Sequence, residues 1–325
     1  MNNKHITEPL PFKRGKTMNF YVYRDVLDEL SVPLECAKKN IDFPDSSLST
    51  MLNHQLKVLF YGQSVNSEDR NYLTDLITNN EELNLNNVHE YYELISGNVF
   101  EKYRKKPGVY SSCNETVPFA DGLKPSLIKN EFAHLLEYAK ESCDNAIEKY
   151  YRGVILFTYF VYLSPYPEAN SKIAKALVLK YFFDNDISEF SIFISVLEKL
   201  ASKTIRKSLI RTFNCGNIEV FINRINTDVI QELQLENKVI RFEQGYNLNE
   251  NQRLLISYLL HQPESPTLKN FTGFYNMLEN DQKTSLEIKK EIVDSVIELG
   301  LVEGIYQHKA VRLQDRIQLQ LKRLD

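Results

Sequence analysis

The chain has 325 residues, enough for one large domain with an appendage or for two modest domains. Hydrophobic residues make up 43% of it and charged residues 25%, a composition that excludes a disordered or fibrous chain and is typical of a globular one. The net charge of −4 excludes a general attraction to nucleic acid, although a local basic face remains compatible with it.

The longest apolar run, Val154 to Leu163, is shorter than the roughly 18 residues that a membrane span needs, so it predicts a buried helix. The first residues of the chain are polar and contain no apolar segment typical of a signal peptide. The four cysteines lie far apart, at Cys36, Cys113, Cys143 and Cys215. Their spacing indicates neither a metal site nor a disulfide framework. We therefore expect a cytoplasmic protein that makes no contact with a membrane.

The first 44 residues predict an N-terminal lead-in. Residues 1–17 indicate irregular chain, and Tyr21 to Cys36 indicates a short helix with loop because its apolar residues follow no steady period. A second helix is predicted to begin near Asp45, where several side chains suited to an N-cap follow one another.

The next part of the chain predicts two helices and then a change of structure. The helices cover residues 67–79 and 85–104, and the second of them ends in a small basic patch, Lys102 to Lys106. The stretch from Val109 to Gly122 contains proline and glycine, which predict extended chain or a hairpin.

Two longer helices are predicted at the centre of the chain. Pro125 to Ser142 shows one apolar face with a period of 3.6 residues. Ala146 to Leu163 is apolar nearly all round, so it should be the central buried helix. Three further helices are predicted after residue 172, and they cover 173–183, 187–213 and 218–235.

The segment that joins the central helix to the next one carries the most informative residues. Pro165 and Pro167 predict a break, because proline supplies no N–H and biases the residue before it away from the helix. Glu168 and Asn170 are suited to cap the start of a new helix. The backbone N–H groups at such a start attract anions, and lysines in its first turns would add positive charge.

This segment resembles the signature of Fic (Fido-fold) proteins, His-Pro-Phe-x-Asp/Glu-Gly-Asn-Gly-Arg-x-x-Arg. Pro165, Glu168 and Asn170 match the signature, and Tyr166 stands for its phenylalanine. The departures are Ser164 for the histidine, Ala169 and Ser171 for the glycines, and Lys172 and Lys175 for the arginines. The resemblance extends from about residue 45 to about residue 235, and only this segment is specific.

The resemblance implies AMP transfer from ATP to a hydroxyl of a target protein, with the histidine as general base. Ser164 occupies that position, and a serine hydroxyl is not basic enough to replace it, a loss typically of about 10²–10⁴ in rate. Glu168 corresponds to the residue that holds Mg²⁺. The nucleotide and phosphate ligands implied by the resemblance are Asn170, Ser171, Lys172 and Lys175.

Two other segments carry weaker parts of the resemblance. The helix that begins near Asp45 is similar to the inhibitory helix of Fic proteins, with Ser49 as its serine and Asn53 in place of the glutamate, so that a pair between Asn53 and Lys175 would carry no salt bridge. The predicted hairpin corresponds to the flap that docks a target peptide by strand addition, at Val109, Tyr110, Ser111 and Val117.

The C-terminal part of the chain is predicted to be a separate module. Arg241 to Asn249 is a polar linker candidate, and three helices and a short hairpin follow it, which is the element order of a winged helix. The third of these helices has nearly balanced charges, and basic residues follow it at Lys309, Arg312, Arg316, Lys322 and Arg323. The module is interpreted either as a packing or dimerisation unit or as a DNA-binding unit.

These observations combine into one fold prediction and three functional hypotheses. The fold is predicted to be mostly α, with a lead-in over residues 1–44, a Fic-like helical core with a hairpin flap over 45–240, and a winged-helix-like module over 241–325. The leading hypothesis is a degenerate Fic protein that lacks AMP transfer and serves as a binding or regulatory module for a protein partner. The alternatives are an active transferase that uses ATP and Mg²⁺, and a DNA-associated regulator.

Overall fold

The structure is a computed structural model, and helices dominate it, which confirms the predicted mostly α fold. It describes residues 9–14, 18–21, 24–39, 45–59, 67–79, 81–105, 109–110, 120–121, 123–142, 145–199, 202–262, 265–279, 281–306 and 317–321. Within these ranges no helix is long and apolar enough to cross a membrane.

The chain divides into two compact units. The first contains Met1–Asn40, Met51–Leu59 and Val65–Ile230, and the second contains Ile41–Thr50, Phe60–Ser64 and Gln231–Asp325. The predicted boundary at residue 241 is not tested by this division, since one long helix contributes residues to both units.

The first half of the chain alternates short strand pairs with helices. In order, its elements are β1 (Pro9–Arg14), β2 (Met18–Tyr21), α1 (Arg24–Lys39), α2 (Asp45–Leu59), α3 (Ser67–Thr78), α4 (Leu85–Ser96), β3 (Val109–Tyr110), β4 (Ala120–Asp121) and α5 (Ile128–Lys140). β1 pairs with β2, and β3 with β4, both antiparallel. The lead-in is therefore more regular than the sequence predicted, because the strand pair β1–β2 and the 16-residue α1 occupy it.

Two adjacent helices, α6 (Ala146–Leu163) and α7 (Asn170–Asp184), form the centre of the first unit. Residues 153–163 of α6 and 173–182 of α7 are buried without interruption. The nearly all-apolar sequence of α6 requires this position, because such a helix has no face suited to water. α7 also contacts α3 and α4, and α5 contacts α6.

Two polar side chains buried in this core, Lys180 and Asn226, are paired. Lys180, which is fully buried, donates to the carbonyl of Asn79 at 2.6 Å and to the carboxylate of Asp184 at 2.7 Å. Asn226 accepts from the hydroxyl of Tyr150 at 3.2 Å and donates to the hydroxyl of Tyr151 at 2.9 Å. Such pairing offsets the cost of removing these groups from water.

The remaining helices of the first unit are α8 (Phe193–Lys199), α9 (Ser202–Cys215) and the first part of α10 (Glu219–Tyr246). α10 continues to residue 246, so the linker predicted from residue 241 is helical over most of its length. One side chain of this part of the helix, Glu243, forms an ion pair with Arg253 at 3.2 Å, a contact that a local sequence pattern does not reveal.

The second unit contains the end of α10 and all that follows: α11 (Glu250–Leu260), α12 (Leu268–Glu279), α13 (Ser285–Ile288), α14 (Asp294–Glu298), β5 (Val302–Tyr306) and β6 (Ile317–Leu321). A π-helical turn, Lys289–Val293, joins α13 to α14. Thr284 caps α13 with a reciprocal capping box to Glu287. β5 and β6 form an antiparallel pair, with Gly304 opposite Leu319.

Candidate functional site

The segment between α6 and α7, residues 164–169, is the motif loop. It breaks the helix where the two prolines predict a break. Two of its residues have left-handed backbone conformations although neither is glycine: Ser164 has φ 40° and Ala169 has φ 59°. These are conformations that glycine adopts without strain and that other residues adopt at a cost.

Ser164 ends α6 and uses its polar atoms there. Its N–H donates to the carbonyl of Phe160 at 2.8 Å, and its hydroxyl donates to the carbonyl of Val161 at 2.5 Å. The last carbonyls of a helix lack partners within the helix, so a hydroxyl in this position satisfies one of them. The side chain at the general-base position is thus engaged with the end of the helix.

Tyr166 anchors the motif loop in the core. Its ring is fully buried and stacks on Tyr92, with the ring centroids 4.5 Å apart. Its hydroxyl lies 2.8 Å from Nδ1 of His89. Burial raises the pKa of Tyr166 above its ordinary value, with smaller contributions from Tyr103 and other neighbours. This position therefore holds the loop rather than presenting a group to a substrate.

The contact with His89 was missed in the sequence, where the histidines formed no motif. His89 lies on α4, and its ring stacks on Phe100 with the centroids 3.8 Å apart. Burial lowers the pKa of His89 below its ordinary value, while the nearby Glu93 opposes this change. The sequence offered only a weak signal for this contact, namely the position of His89 directly after the apolar Val88 in an amphipathic helix.

Asn170 closes the motif loop with its side-chain amide. Its Oδ1 accepts from the N–H of Tyr166 at 3.0 Å, and its Nδ2 donates to the carbonyl of Tyr166 at 2.8 Å. Both ends of the amide are therefore used on the backbone of one residue. Asn170 therefore does not cap α7 as the sequence predicted, since the residue before the helix is Ala169 and no side chain accepts a hydrogen bond from the first N–H groups of α7.

Glu168 is exposed, and one of its oxygens is engaged. Nδ2 of Asn98 donates to Oε1 of Glu168 at 2.6 Å. Mg²⁺ favours several hard oxygen ligands, usually with one or two carboxylates. Within the described parts of the chain no group of three histidine, cysteine, aspartate or glutamate side chains is placed to hold a metal ion. The assignment of Glu168 to Mg²⁺ stays a prediction.

The two lysines of the motif lie near one acidic residue. Lys175 is buried, with 6% of its surface exposed, and its Nζ forms an ion pair with Oε1 of Glu198 from α8. Lys172 is half-buried, and burial lowers its pKa, with Glu198 raising it and Lys175 lowering it further. Glu198 thus supplies a negative charge from within the chain beside both lysines.

The predicted inhibitory helix corresponds to α2, and its key residue is placed in solvent. Asn53 is exposed, and Lys175 forms an ion pair with Glu198. Ser49 lies in α2, but its side chain is outside the described part of the structure. A nearby polar residue of α2 has a clear role instead: Oε1 of Gln55 accepts from both the N–H and the hydroxyl of Ser195.

The predicted flap contains one described strand pair. Val109 lies opposite Asp121, and Tyr110 opposite Ala120. Ser111 and Val117 lie outside the described residues, as does the rest of the predicted hairpin.

Arg104 contacts the motif loop from outside the signature. Its Nε donates to the carbonyl of Ser164 at 2.6 Å, and its Nη2 donates to the carbonyl of Leu163 at 3.1 Å. The sequence placed Arg104 within a basic patch without assigning it a partner. The patch itself was the available signal, since cations stabilise the C-terminal end of a helix.

Two lysines in or directly before the third helical segment after α10 are paired with carboxylates. Lys283 contacts Glu291 at 2.7 Å, and Lys289 contacts Asp294 at 2.5 Å. The basic residues Lys309, Arg312, Arg316, Lys322 and Arg323 lie outside the described residues. The described charges of this segment therefore favour neither DNA nor any other polyanion.

Two solved structures are similar to this chain. One is a Fic family protein from Desulfovibrio desulfuricans G20, with a TM-score of 0.44, 10% sequence identity, and coverage of 92% of this chain and 95% of that chain. The other is a Fic domain containing signaling protein from Bacteroides thetaiotaomicron VPI-5482, with a TM-score of 0.39, 13% identity, and coverage of 66% and 97%. At these values neither similarity assigns a role to any residue of this chain. No protein-family model and no curated sequence matches the chain.

Proposed function

We propose that this chain is a degenerate Fic-type protein that does not transfer AMP and instead serves as a binding or regulatory module for another protein. The motif loop is its scaffold and retains at most a weak affinity for nucleotides or phosphate. The observation that carries the proposal is that four polar side chains of the motif, those of Ser164, Glu168, Asn170 and Lys175, are paired with the chain's own groups.

The position of the general base supports the absence of transfer. A base must accept a proton from the attacking hydroxyl at hydrogen-bond distance, and its pKa must suit the working pH. Ser164 meets neither requirement, since its hydroxyl donates to the carbonyl of Val161 and is not basic. His89 contacts the motif, and its Nδ1 faces the hydroxyl of Tyr166.

Two of the four phosphate ligands implied by the resemblance, Asn170 and Lys175, are also engaged. The amide of Asn170 is bound to the backbone of Tyr166, and Lys175 is neutralised by Glu198. Lys172 is the remaining positive charge at the start of α7, and lysine lacks the bidentate fork of arginine. A residual, weak attraction for phosphate follows from Lys172 and the N-terminus of α7 together.

The second unit is proposed to be winged-helix-like and to serve in packing or dimerisation. The support is its element order, with the helical segments α11, α12 and α13–α14 followed by the antiparallel pair β5–β6. The paired lysines of the last helical segment do not favour the DNA-associated alternative.

The test combines calorimetry with a transfer assay. The purified chain is titrated with ATP, with and without Mg²⁺, beside the variant Lys172→Ala/Lys175→Ala, and is incubated with labelled ATP and candidate protein substrates. We expect no labelling, and at most weak binding that the double variant loses. Mg²⁺-dependent labelling that Glu168→Ala or Asn170→Ala abolishes would refute the proposal and establish the active transferase.

A further inference from the structure

We propose that residues 97–105, which follow α4, form a clasp that holds the motif loop closed, and that closure depends on Arg104. The clasp is a conformational device of the fold that no part of the signature encodes. It does not rest on the proposed function, because it holds whether or not the motif loop binds a nucleotide.

Arg104 fixes one end of the clasp by hydrogen bonds to the last residue of α6 and to the first two residues of the motif loop. Its backbone N–H donates to the carbonyl of Pro165 at 3.0 Å, and its guanidinium donates to the carbonyls of Ser164 and Leu163. These oxygens lie at the negative end of a helix, where backbone carbonyls lack helical partners. The guanidinium supplies a positive charge and several N–H donors, which suit the partial negative charge and the unused acceptors of these carbonyls.

The same guanidinium joins the loop to a third segment. Its Nη2 donates to the carbonyl of Leu123 at 2.6 Å, shortly before α5. A single side chain thus connects the end of α6 with the approach to α5. Lysine would keep the charge but could not span these carbonyls with a planar fork.

The other end of the clasp is fixed by Asn98. Gly97 ends α4 in a left-handed conformation with φ 72°, and its N–H donates to the carbonyl of Glu93 at 2.9 Å. The chain then turns so that Nδ2 of Asn98 reaches Oε1 of Glu168 at 2.6 Å. Arg104 and Asn98 therefore hold opposite ends of the motif loop.

The middle of the clasp is held by aromatic packing. Phe100 stacks on His89 and meets the ring of Tyr166 edge-on, with the latter centroids 5.6 Å apart. The N–H of Phe100 donates to a carboxylate oxygen of Glu93 at 2.8 Å. Tyr103 meets Phe132 edge-on at 6.4 Å. The clasp is thus anchored in the same aromatic cluster as the motif loop.

In these hydrogen bonds between the clasp and the motif loop, the clasp is always the donor. In each, the clasp supplies an N–H and the loop supplies an oxygen: the carbonyls of Leu163, Ser164 and Pro165 and the carboxylate of Glu168. Opening the clasp would leave these oxygens without those donors, which opposes opening. A ligand that displaced the clasp would have to supply N–H donors, such as a guanidinium, because these carbonyl and carboxylate oxygens would repel a phosphate.

The clasp is tested by hydrogen–deuterium exchange on the full chain, read at the amides of Arg104, Ser164 and Tyr166. We expect Arg104→Ala to speed exchange at these amides by at least about tenfold, as the loss of charge-assisted bonds requires. Arg104→Lys should restore only part of the protection. The matched control is Lys102→Ala, an exposed change in the same segment that should leave these amides unaffected.

A second variant decides the matter if Arg104→Ala does not fold. Asn98→Asp keeps the shape of the side chain but sets a second carboxylate against Glu168. Exchange at the amide of Arg104 should be faster than in the wild type at about pH 7 and return toward it at about pH 4, where one carboxyl can donate to the other. Unchanged exchange in folded Arg104→Ala, or in Asn98→Asp at about pH 7, would overturn the clasp.

Discussion

Gly153 of α6 lies directly against the ring of Phe182 of α7. A Cβ built on Gly153 would lie 2.2 Å from Cε1 of that ring, far inside van der Waals contact. The glycine thus permits the close approach of the two central helices on which the motif loop is mounted.

The first prediction follows from this contact. Gly153→Ala should lower the free energy of unfolding by about 1–3 kcal/mol, because the overpacked ring must move and α6 and α7 must separate. In an open helical position the same change would instead be favourable by up to about 1 kcal/mol. Gly245 of α10 has no atom within 4 Å of its built Cβ, so Gly245→Ala is the matched control. Urea unfolding of both variants measures the difference, and equal effects would contradict the close approach.

The second prediction concerns the ion pair of Lys175 with Glu198. Glu198→Gln should destabilise the chain by about 1–3 kcal/mol, because it leaves the buried ammonium of Lys175 without its counter-charge. The partial exposure of Glu198 keeps the loss below that of a fully buried pair. The control is Glu82→Gln, whose partner Lys140 is on the surface, and whose loss should be less than about 1 kcal/mol. Similar losses for both variants in urea unfolding would show that burial of Lys175 has no energetic consequence.

The third prediction is a pH dependence that comes from His89. Burial lowers the pKa of His89 in the folded state below its ordinary value of 6.5, so the unfolded chain binds the proton more readily. His89 therefore contributes to the free energy of unfolding above pH 6.5, and the contribution is lost as pH falls through and below that value.

The wild type should consequently lose stability more steeply than His89→Gln between about pH 7 and about pH 5.5. His134→Gln, a change of an exposed histidine on α5, should keep the wild-type slope. The measurement is the free energy of unfolding at several pH values for the three proteins. A slope for His89→Gln equal to that of the wild type would contradict the assigned direction.

The fourth prediction concerns the buried ion pair of the second unit. Arg253 contacts Glu236 and also Glu243, and burial raises the pKa of Glu236 while Arg253 lowers it. Arg253→Met should cost about 3–5 kcal/mol, because it leaves the carboxylate of Glu236 buried without its partner. The deficit should shrink in acid, since protonation then neutralises Glu236.

The double variant Arg253→Met/Glu236→Met separates this charge effect from lost packing. It should recover much of the stability at neutral pH, because an apolar pair of similar volume needs no counter-charge. Thermal unfolding of the single and double variants gives the comparison. A double variant that is no more stable than Arg253→Met would assign the loss to packing.

The local features of this fold could be predicted from the sequence. Pro165 and Pro167 predicted the break between α6 and α7, and the apolar run from Val154 predicted the buried helix, because both depend on neighbouring residues. The three helical segments and the strand pair at the C-terminal end follow the predicted order for the same reason. The strands of the lead-in were not predicted, because each is stabilised by pairing with the other. The pattern of residues within a single strand does not reveal that pairing.

The contacts that define the candidate site could not be read from the sequence. His89 and Tyr166 are 77 positions apart, and Lys175 and Glu198 are 23 positions apart. No periodicity links such pairs, because only the packing of α4 and α8 near α7 brings them together. Arg104 illustrates the same limit: a basic patch is visible in the sequence, but the carbonyls that it binds become available only where α6 ends.

The left-handed backbone conformation of Ala169 affects which substitutions the motif loop tolerates. Glycine at this position would relieve about 1 kcal/mol of strain and would need no change of the backbone. A single substitution could thus place a glycine in this part of the loop. At Lys175 the larger side chain of arginine would instead have to fit where the lysine is buried and already paired with Glu198. Substitution toward the Fic signature is therefore opposed in the core beneath the loop rather than in the loop itself.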